Sequence, residues 1–286
     1  MNYFEKNSAV VLKERDSFDI EMILECGQCF RFKKTGEKEY RIIAEGKILN
    51  IKQTDDEVIF YPCTVKEFET IWINYFDLST DYSAIKKALS TDPVLKEACK
   101  FGWGIRILRQ EPTECLISFI ISQNNRIPMI KKVIENICEK WGEDLGGEYA
   151  FPDVSAMQDA NQEELMACKT GFRHKYIRDC LDKLLDGSLD LEGLKEADTK
   201  TIKTELMKVK GVGEKVADCV LFFAFSRCEV FPTDVWIKRV MEHFYFEGKE
   251  TPIKEIHAFA ENKWGSLAGY AQQYLFYYAR TRKIGV

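Results

Sequence analysis

The period of the hydrophobic pattern changes once along this chain of 286 residues, and that change limits the folds it can reach. From Gln28 to about Cys63 the residues run in short segments, QCFRFKK, YRIIAEG, KILNIKQ and VIFYPC, separated by the turn-forming TGEKE and the polar TDDE. Alternation and β-branched content in such short runs predict an antiparallel meander. Thr64 followed by Glu67 has the spacing of a capping box, and Phe68, Ile71, Trp72 and Tyr75 recur at helical period, so a helix is predicted to back this sheet. After Pro93 the pattern is helical throughout, through PVLKEACKFG, PTECLISFIISQNN, IPMIKKVIENICEKWG, TIKTELMKV, EKVADCVLFFAF, DVWIKRVMEHFYF, KEIHAFAENKWG and AGYAQQYLFYYARTR. The expected fold class is α+β: an N-terminal antiparallel β-sheet domain with helices over residues 1–94, followed by an all-helical domain over residues 95–286. No internal repeat is visible. The acidic stretch 142–200, with its breaks GEDLGGE and DGSLD, is expected to form a surface-exposed helical subdomain.

A composition of 45% hydrophobic and 30% charged residues excludes a disordered chain, and 41 basic against 46 acidic side chains, a net charge of −5, exclude a broadly basic nucleic-acid coat. Ten cysteines, spread through apolar helical contexts, fit a reducing cytoplasm better than a secreted disulfide scaffold. The longest apolar run, Val220 to Phe225, falls far short of the ~20 residues of a membrane span, and the N-terminus has no signal-like stretch. A soluble intracellular protein that uses no membrane is expected, nucleoid-associated if the source is prokaryotic.

The most informative window is LMKVKGVGEKVADC, Leu206 to Cys219. Two glycines around a valine between helices allow positive φ and a tight reversal, while the amides of Gly211, Val212 and Gly213 face outward at the start of the next helix. Such a turn can grip a DNA phosphate without reading bases; the bland alternative is a plain corner between two helices. Lys215 follows in the first turn, where the positive end of the helix disfavours an ammonium. A lone lysine there ordinarily touches solvent or phosphate. Asp234 changes the balance: one helix and one loop later, in FPTDVW at a predicted N-cap, it can return beside the hairpin and pair a carboxylate with the amine.

GVGEKVADC followed by FPTDV resembles the catalytic core of the helix-hairpin-helix base-excision DNA glycosylases, and specifically the 8-oxoguanine DNA glycosylase family. The resemblance implies that the helical domain is a helix-hairpin-helix glycosylase domain. Lys215 would attack the anomeric carbon of a flipped nucleotide, expel the base and form a Schiff base that permits β-elimination. Asp234 would stabilise the oxocarbenium-like charge and orient or deprotonate the lysine. A cation on the hairpin carbonyls is common in this motif. No redox cofactor is implied, since the C-terminus lacks the cysteine cluster that holds an iron–sulfur centre in the endonuclease III branch.

Extruding a base requires a pocket to receive it. By resemblance, Cys219 stacks on one face of the flipped base and Phe276, in AGYAQQYLFYYAR, on the other, with Gln272 hydrogen-bonding its pairing edge. Without the resemblance, Cys219 and Phe276 would both be read as core. In ECGQCFRF the pair Cys26 and Cys29 invites a zinc reading, but no second pair follows to close a four-ligand site. By resemblance the useful residue is Gly27, whose carbonyl accepts the hydrogen that an oxidised purine carries on its imidazole nitrogen and guanine lacks.

The duplex must also be held open. SQNNRI resembles the turn whose asparagine fills the space left by the flipped base, here Asn124 with Asn125 beside it, although an Asn-rich helix C-cap is compatible with the same residues. TGFRHKY resembles the loop whose aromatic wedge and arginine meet the estranged cytosine, assigning these roles to Phe172 and Arg173. Three positions depart from the pattern. Lys210 stands where the hairpin commonly has proline, Trp236 where a phosphate-contacting histidine is usual, and Met129 where animal members place a second cytosine-reading arginine. Losing that arginine predicts relaxed discrimination of the opposing base.

The expected activity is a bifunctional DNA glycosylase and abasic-site lyase, acting as a monomer on duplex DNA containing 8-oxoguanine. The alternatives are a glycosylase of the same fold for an alkylated purine and a non-catalytic helix-hairpin-helix DNA-binding protein. Segment by segment the charge suits a bounded DNA footprint: residues 98–141 carry 7 basic and 4 acidic side chains and 201–240 carry 7 and 5, whereas 142–200 carry 7 and 14.

Overall fold

The computed structural model describes residues 1–13 and 16–284. Six strands form one antiparallel sheet: β1 (Tyr3–Lys6), β2 (Ala9–Leu12), β3 (Phe32–Gly36), β4 (Glu39–Ala44), β5 (Lys47–Gln53) and β6 (Val58–Tyr61), in the order β1-β2-β6-β5-β4-β3. The run β3 to β6 is the predicted meander. β1 and β2 extend it at the β6 edge, where Val10 pairs with Phe60 and Leu12 with Val58. The segment QCFRFKK is only partly strand. β3 begins at Phe32, and Gln28 before it is bonded instead to the connection around residues 106–110.

Helix α1 (Ile20–Glu25) packs Ile20, Ile23 and Leu24 into the core of the sheet. α2 (Val65–Glu67) opens on the predicted capping box, Thr64 accepting from the Glu67 amide while the Glu67 carboxylate accepts from the Thr64 amide. It runs through a π-helical turn, Phe68–Trp72, into α3 (Ile73–Tyr75), and Phe68, Trp72 and Phe76 are buried against the sheet.

The remaining helices are α4 (Tyr82–Leu89), α5 (Pro93–Phe101), α6 (Pro112–Ser122), α7 (Ile127–Trp141), α8 (Gln162–Ala167), α9 (His174–Leu185), α10 (Thr199–Leu206), α11 (Glu214–Phe223), α12 (Val235–Tyr245), α13 (Ile253–Trp264) and α14 (Ala268–Arg282). They share one core. α6 and α11, apolar on nearly all sides, form its centre, as a helix buried all round must. The acidic stretch is not a peripheral subdomain: Met157, Leu165, Ile177, Cys180, Leu181, Leu189 and Leu191 are buried in this same core. Its acidic residues occupy the outer face of an amphipathic layer.

The two cores interlock. Cys26 and Phe30, from the sheet side, are buried with the helices, whereas Leu108, after α5, is buried with the sheet. All ten cysteines are free thiols and nine are buried. Among the described residues no helix is long and apolar enough to cross a membrane.

Candidate active site

The hairpin joins α10 to α11 through Gly211, at φ +79°, with Gly213 as the N-cap of α11. A Cβ on Gly211 would come within 2.4 Å of the Tyr176 ring, so both the backbone conformation and the close approach of α9 require glycine. Lys210 also has a local reason. Its amide donates to Asp179 Oδ2 at 2.8 Å, a bond proline could not make. Although burial pushes the Asp179 carboxyl up, the Lys210 amide and the Lys183 ammonium outweigh it and hold the group below its usual range. Val212 is buried, and its amide does not face outward as expected, because it closes the turn on the Val209 carbonyl at 3.0 Å.

Lys215, the second residue of α11, lines a pocket together with Gly27, Phe119, Cys219, Phe223, Pro232, Asp234, Gln272, Gln273 and Phe276. All six residues assigned to catalysis and base binding are thus brought together, from α11, α14, the start of α12 and the loop after α1. The Lys215 amine lies 5.3 Å from the centre of the Phe119 ring, which is stacked on Phe223 with an interplanar angle of 10°. Cys219, one turn further on, is buried. Burial pushes its thiol up to about 11, the Lys215 charge only partly opposing this, so it presents a neutral, polarisable surface.

Asp234 is the N-cap of α12, Oδ1 accepting from the Ile237 amide at 2.7 Å. The preceding Thr233 is fixed on both sides, its hydroxyl donating to the Phe231 carbonyl at 2.9 Å and accepting from His257 Nε2 at 3.1 Å. A hydroxyl has one hydrogen, so the imidazole must be the donor. Trp236 offers no surface donor, because its indole N–H is buried and unpartnered among the described residues.

Gly27 has φ +88°, and a Cβ there would lie 3.1 Å from both Phe276 Cε1 and Arg280 Nη1. Gln28 pins this segment. Its amide nitrogen donates to the Ile23 and Arg106 carbonyls, each at 2.8 Å, and its amide oxygen accepts from the Leu108 amide at 2.8 Å. Cys26 and Cys29 are buried, and burial pushes the Cys26 thiol up to about 12, a packed neutral group. Gln272 is 6% exposed, and its Oε1 is buried without a partner among the described residues. A buried acceptor of this kind is costly unless something supplies a donor.

At the rim, Asn124 is exposed in the left-handed conformation, φ +48°, just after the end of α6. Asn125 is structural, donating to the Ile121 carbonyl and accepting from the Arg126 amide. Phe172 projects from its loop at 52% exposure, and Met129 is exposed on the first turn of α7. Arg173 does not project. It is 7% exposed, and its guanidinium donates to the Gln123 carbonyl and, at 2.9 Å, to the Asn124 carbonyl. In this state it braces the Asn124 turn, and contact with an estranged base requires those bonds to be released. The sequence patterns assign no role to Phe119, Gln273, Arg280, Tyr176 or Asp179. Only Phe119, the single aromatic residue of the largely apolar α6, has a local signal.

Residues 10–116 match the family model of the 8-oxoguanine DNA glycosylase N-terminal domain, and residues 117–265 match that of the HhH-GPD superfamily of base-excision DNA repair proteins. The chain superposes on the Clostridium acetobutylicum 8-oxoguanine glycosylase/lyase, solved with double-stranded DNA containing cytosine opposite 8-oxoG, with a TM-score of 0.96 and 43% identity over 99% of each chain. MBOgg1, solved in complex with a low-affinity DNA ligand, gives the same TM-score at 45% identity and the same coverage. A probable N-glycosylase/DNA lyase of Methanothermobacter thermautotrophicus is 30% identical over 75% of this chain and 74% of its own length. The chain belongs to the HhH-GPD superfamily of base-excision DNA repair proteins, with the 8-oxoguanine DNA glycosylase N-terminal domain preceding its helical domain.

Proposed function

We propose that this chain flips 8-oxoguanine out of duplex DNA, excises it and then cleaves the strand at the abasic site. The observation that carries the reading is the single pocket shared by Lys215, Asp234, Gly27, Cys219, Gln272 and Phe276. Its free volume of about 50 Å³ holds no more than a few water molecules, so a purine enters only as side chains such as Phe276 give way. The unpartnered Gln272 oxygen then meets the donor edge of the base, and the base lies between the Cys219 thiol and the Phe276 ring. The Gly27 carbonyl selects the purine that carries an imidazole N–H.

In the chemical step the Lys215 amine bonds to C1′ as the C1′–N9 bond breaks, and its electron pair leaves with the base. Asp234 sits where positive charge develops on the sugar and where the amine sheds its proton. Opening of the sugar ring gives a Schiff base. Loss of a C2′ proton then expels the 3′ phosphate. Amine and carboxylate suffice for this sequence, which supports a reading without an organic cofactor or iron–sulfur cluster; a cation on the hairpin carbonyls would serve phosphate binding alone. Met129 at the rim supports tolerance toward the base opposite the lesion. A single copy supplies every residue of the pocket, which supports action as a monomer.

Borohydride reduction during reaction with an 8-oxoguanine:cytosine duplex tests the reading. The wild type is expected to give a covalent protein–DNA adduct and Lys215→Gln none. No adduct with the wild type, an undiminished one with Lys215→Gln, or faster excision of an alkylated purine overturns it.

A further inference from the structure

A carbonyl that selects a lesion by one hydrogen bond is useful only if it is held within a few tenths of an ångström, because hydrogen-bond strength falls steeply with distance and angle. Gly27 cannot supply that rigidity itself. It follows the C-terminus of α1, where the last carbonyls of a helix have no intrahelical partner. In this chain those carbonyls are capped from elsewhere. The Ile23 carbonyl takes the Gln28 side chain at 2.8 Å. The two carbonyls immediately before Gly27 are both capped by α14: Arg280 Nη2 donates to Glu25 O, and Gln273 Nε2 donates to Cys26 O at 2.9 Å.

Gln273 and Arg280 are seven residues apart, two turns of one helix, and so share a face. Gln273 is 2% exposed, so its bond to Cys26 is shielded from water. The Arg280 guanidinium also lies 5.2 Å from the centre of the Phe276 ring, and its Nη1 is 3.1 Å from where a Gly27 Cβ would stand. The helix that presents Gln272 and Phe276 to the base therefore also sets the position of the backbone that reads it.

We propose that Gln273 and Arg280 are specificity-positioning residues, a two-point clamp from α14 on the end of α1 that holds the Gly27 carbonyl at the lesion-reading distance. The inference rests on the proposed recognition of 8-oxoguanine. Its physical content is that discrimination, rather than the chemical step, depends on the clamp.

The test uses the full chain. In a Lys215→Gln background, affinity is measured for a duplex with 8-oxoguanine opposite cytosine and for the matching guanine:cytosine duplex. Arg280→Met and Gln273→Met are each expected to lower the ratio of the two affinities at least tenfold, and Arg280→Lys, which still donates, to restore most of it. With Lys215 intact, cleavage by Arg280→Met at a preformed abasic site, which needs no base in the pocket, is expected within threefold of wild type. If Gln273→Met does not fold, the more exposed Arg280→Met decides. An unchanged affinity ratio in the folded Met variants, or an abasic-site rate that falls as far as discrimination does, overturns the clamp alone. No preference for 8-oxoguanine in the Lys215→Gln chain itself overturns the clamp and the lesion assignment together.

Discussion

The Lys215 amine faces the ring of Phe119 across 5.3 Å, and that ring is itself held by parallel stacking on Phe223 and by an edge contact from Phe30. The amine proposed as the nucleophile is therefore positioned by an aromatic surface on α6, an element that supplies none of the pocket residues read from the sequence. Phe119→Leu keeps the site apolar but removes the face. It is expected to cost roughly 1–2 kcal/mol of stability and to slow Schiff-base trapping about tenfold, read by thermal unfolding and by single-turnover borohydride trapping. Trapping at the wild-type rate would remove Phe119 from the positioning of the lysine.

A pair of substitutions separates the N-cap bond of Asp234 from its proposed part in the chemistry. As an N-cap, Asn serves as well as Asp, so Asp234→Asn is expected to unfold within about 0.5 kcal/mol of wild type, while Asp234→Ala loses about 1 kcal/mol more. Both remove the charge beside the developing cation, and each is expected to cost at least about a hundredfold in base excision. Denaturant unfolding and single-turnover excision measure the two effects independently.

Met129 offers no hydrogen-bond donor to an estranged base. The wild type is expected to excise 8-oxoguanine opposite each of the four bases with rates within about tenfold of one another. Met129→Arg is expected to favour cytosine by about 1–3 kcal/mol, the discrimination of a well-placed arginine. Rates on four duplexes that differ only at the opposing base check this. Sharp cytosine selectivity in the wild type would contradict it.

Glu114 lies between the two cores, 3.6 Å from Arg31, and burial pushes its carboxyl up to about 7 despite that partner. The folded chain thus holds this proton more tightly than the unfolded chain. Below the ordinary glutamate range both states are protonated and nothing is lost. Stability falls as pH rises from there to about 7, and above that the loss is complete, on the order of 1–3 kcal/mol. Glu114→Gln is expected to flatten this slope, so its advantage over wild type grows between pH 4.5 and 7. Urea midpoints across that range give the comparison.

The elements legible in the sequence are those whose signal is local. The helical period after Pro93, the Thr64–Glu67 capping box and the glycine hairpin each need only neighbours within one or two turns, and all are present. Lys215 and Asp234 meet because a single helix and loop separate them. β1 and β2 are illegible for the opposite reason: each has four residues, AVVL is buried throughout and so shows no alternation, and its partner β6 lies about fifty residues away. The capping of α1 by Gln273 and Arg280 spans about 250 residues, and nothing near either end announces it. Arg173 illustrates a third limit. Its sequence position is recognisable, but the carbonyls that hold its guanidinium depend on how two loops pack.

The burial of nine of the ten thiols bears on chemical endurance. Peroxides and electrophiles react with thiolates, and burial keeps Cys26 and Cys219 almost wholly protonated at neutral pH. The sulfur that lines the Lys215 pocket is thereby held as a slowly reacting thiol, and it forms no disulfide.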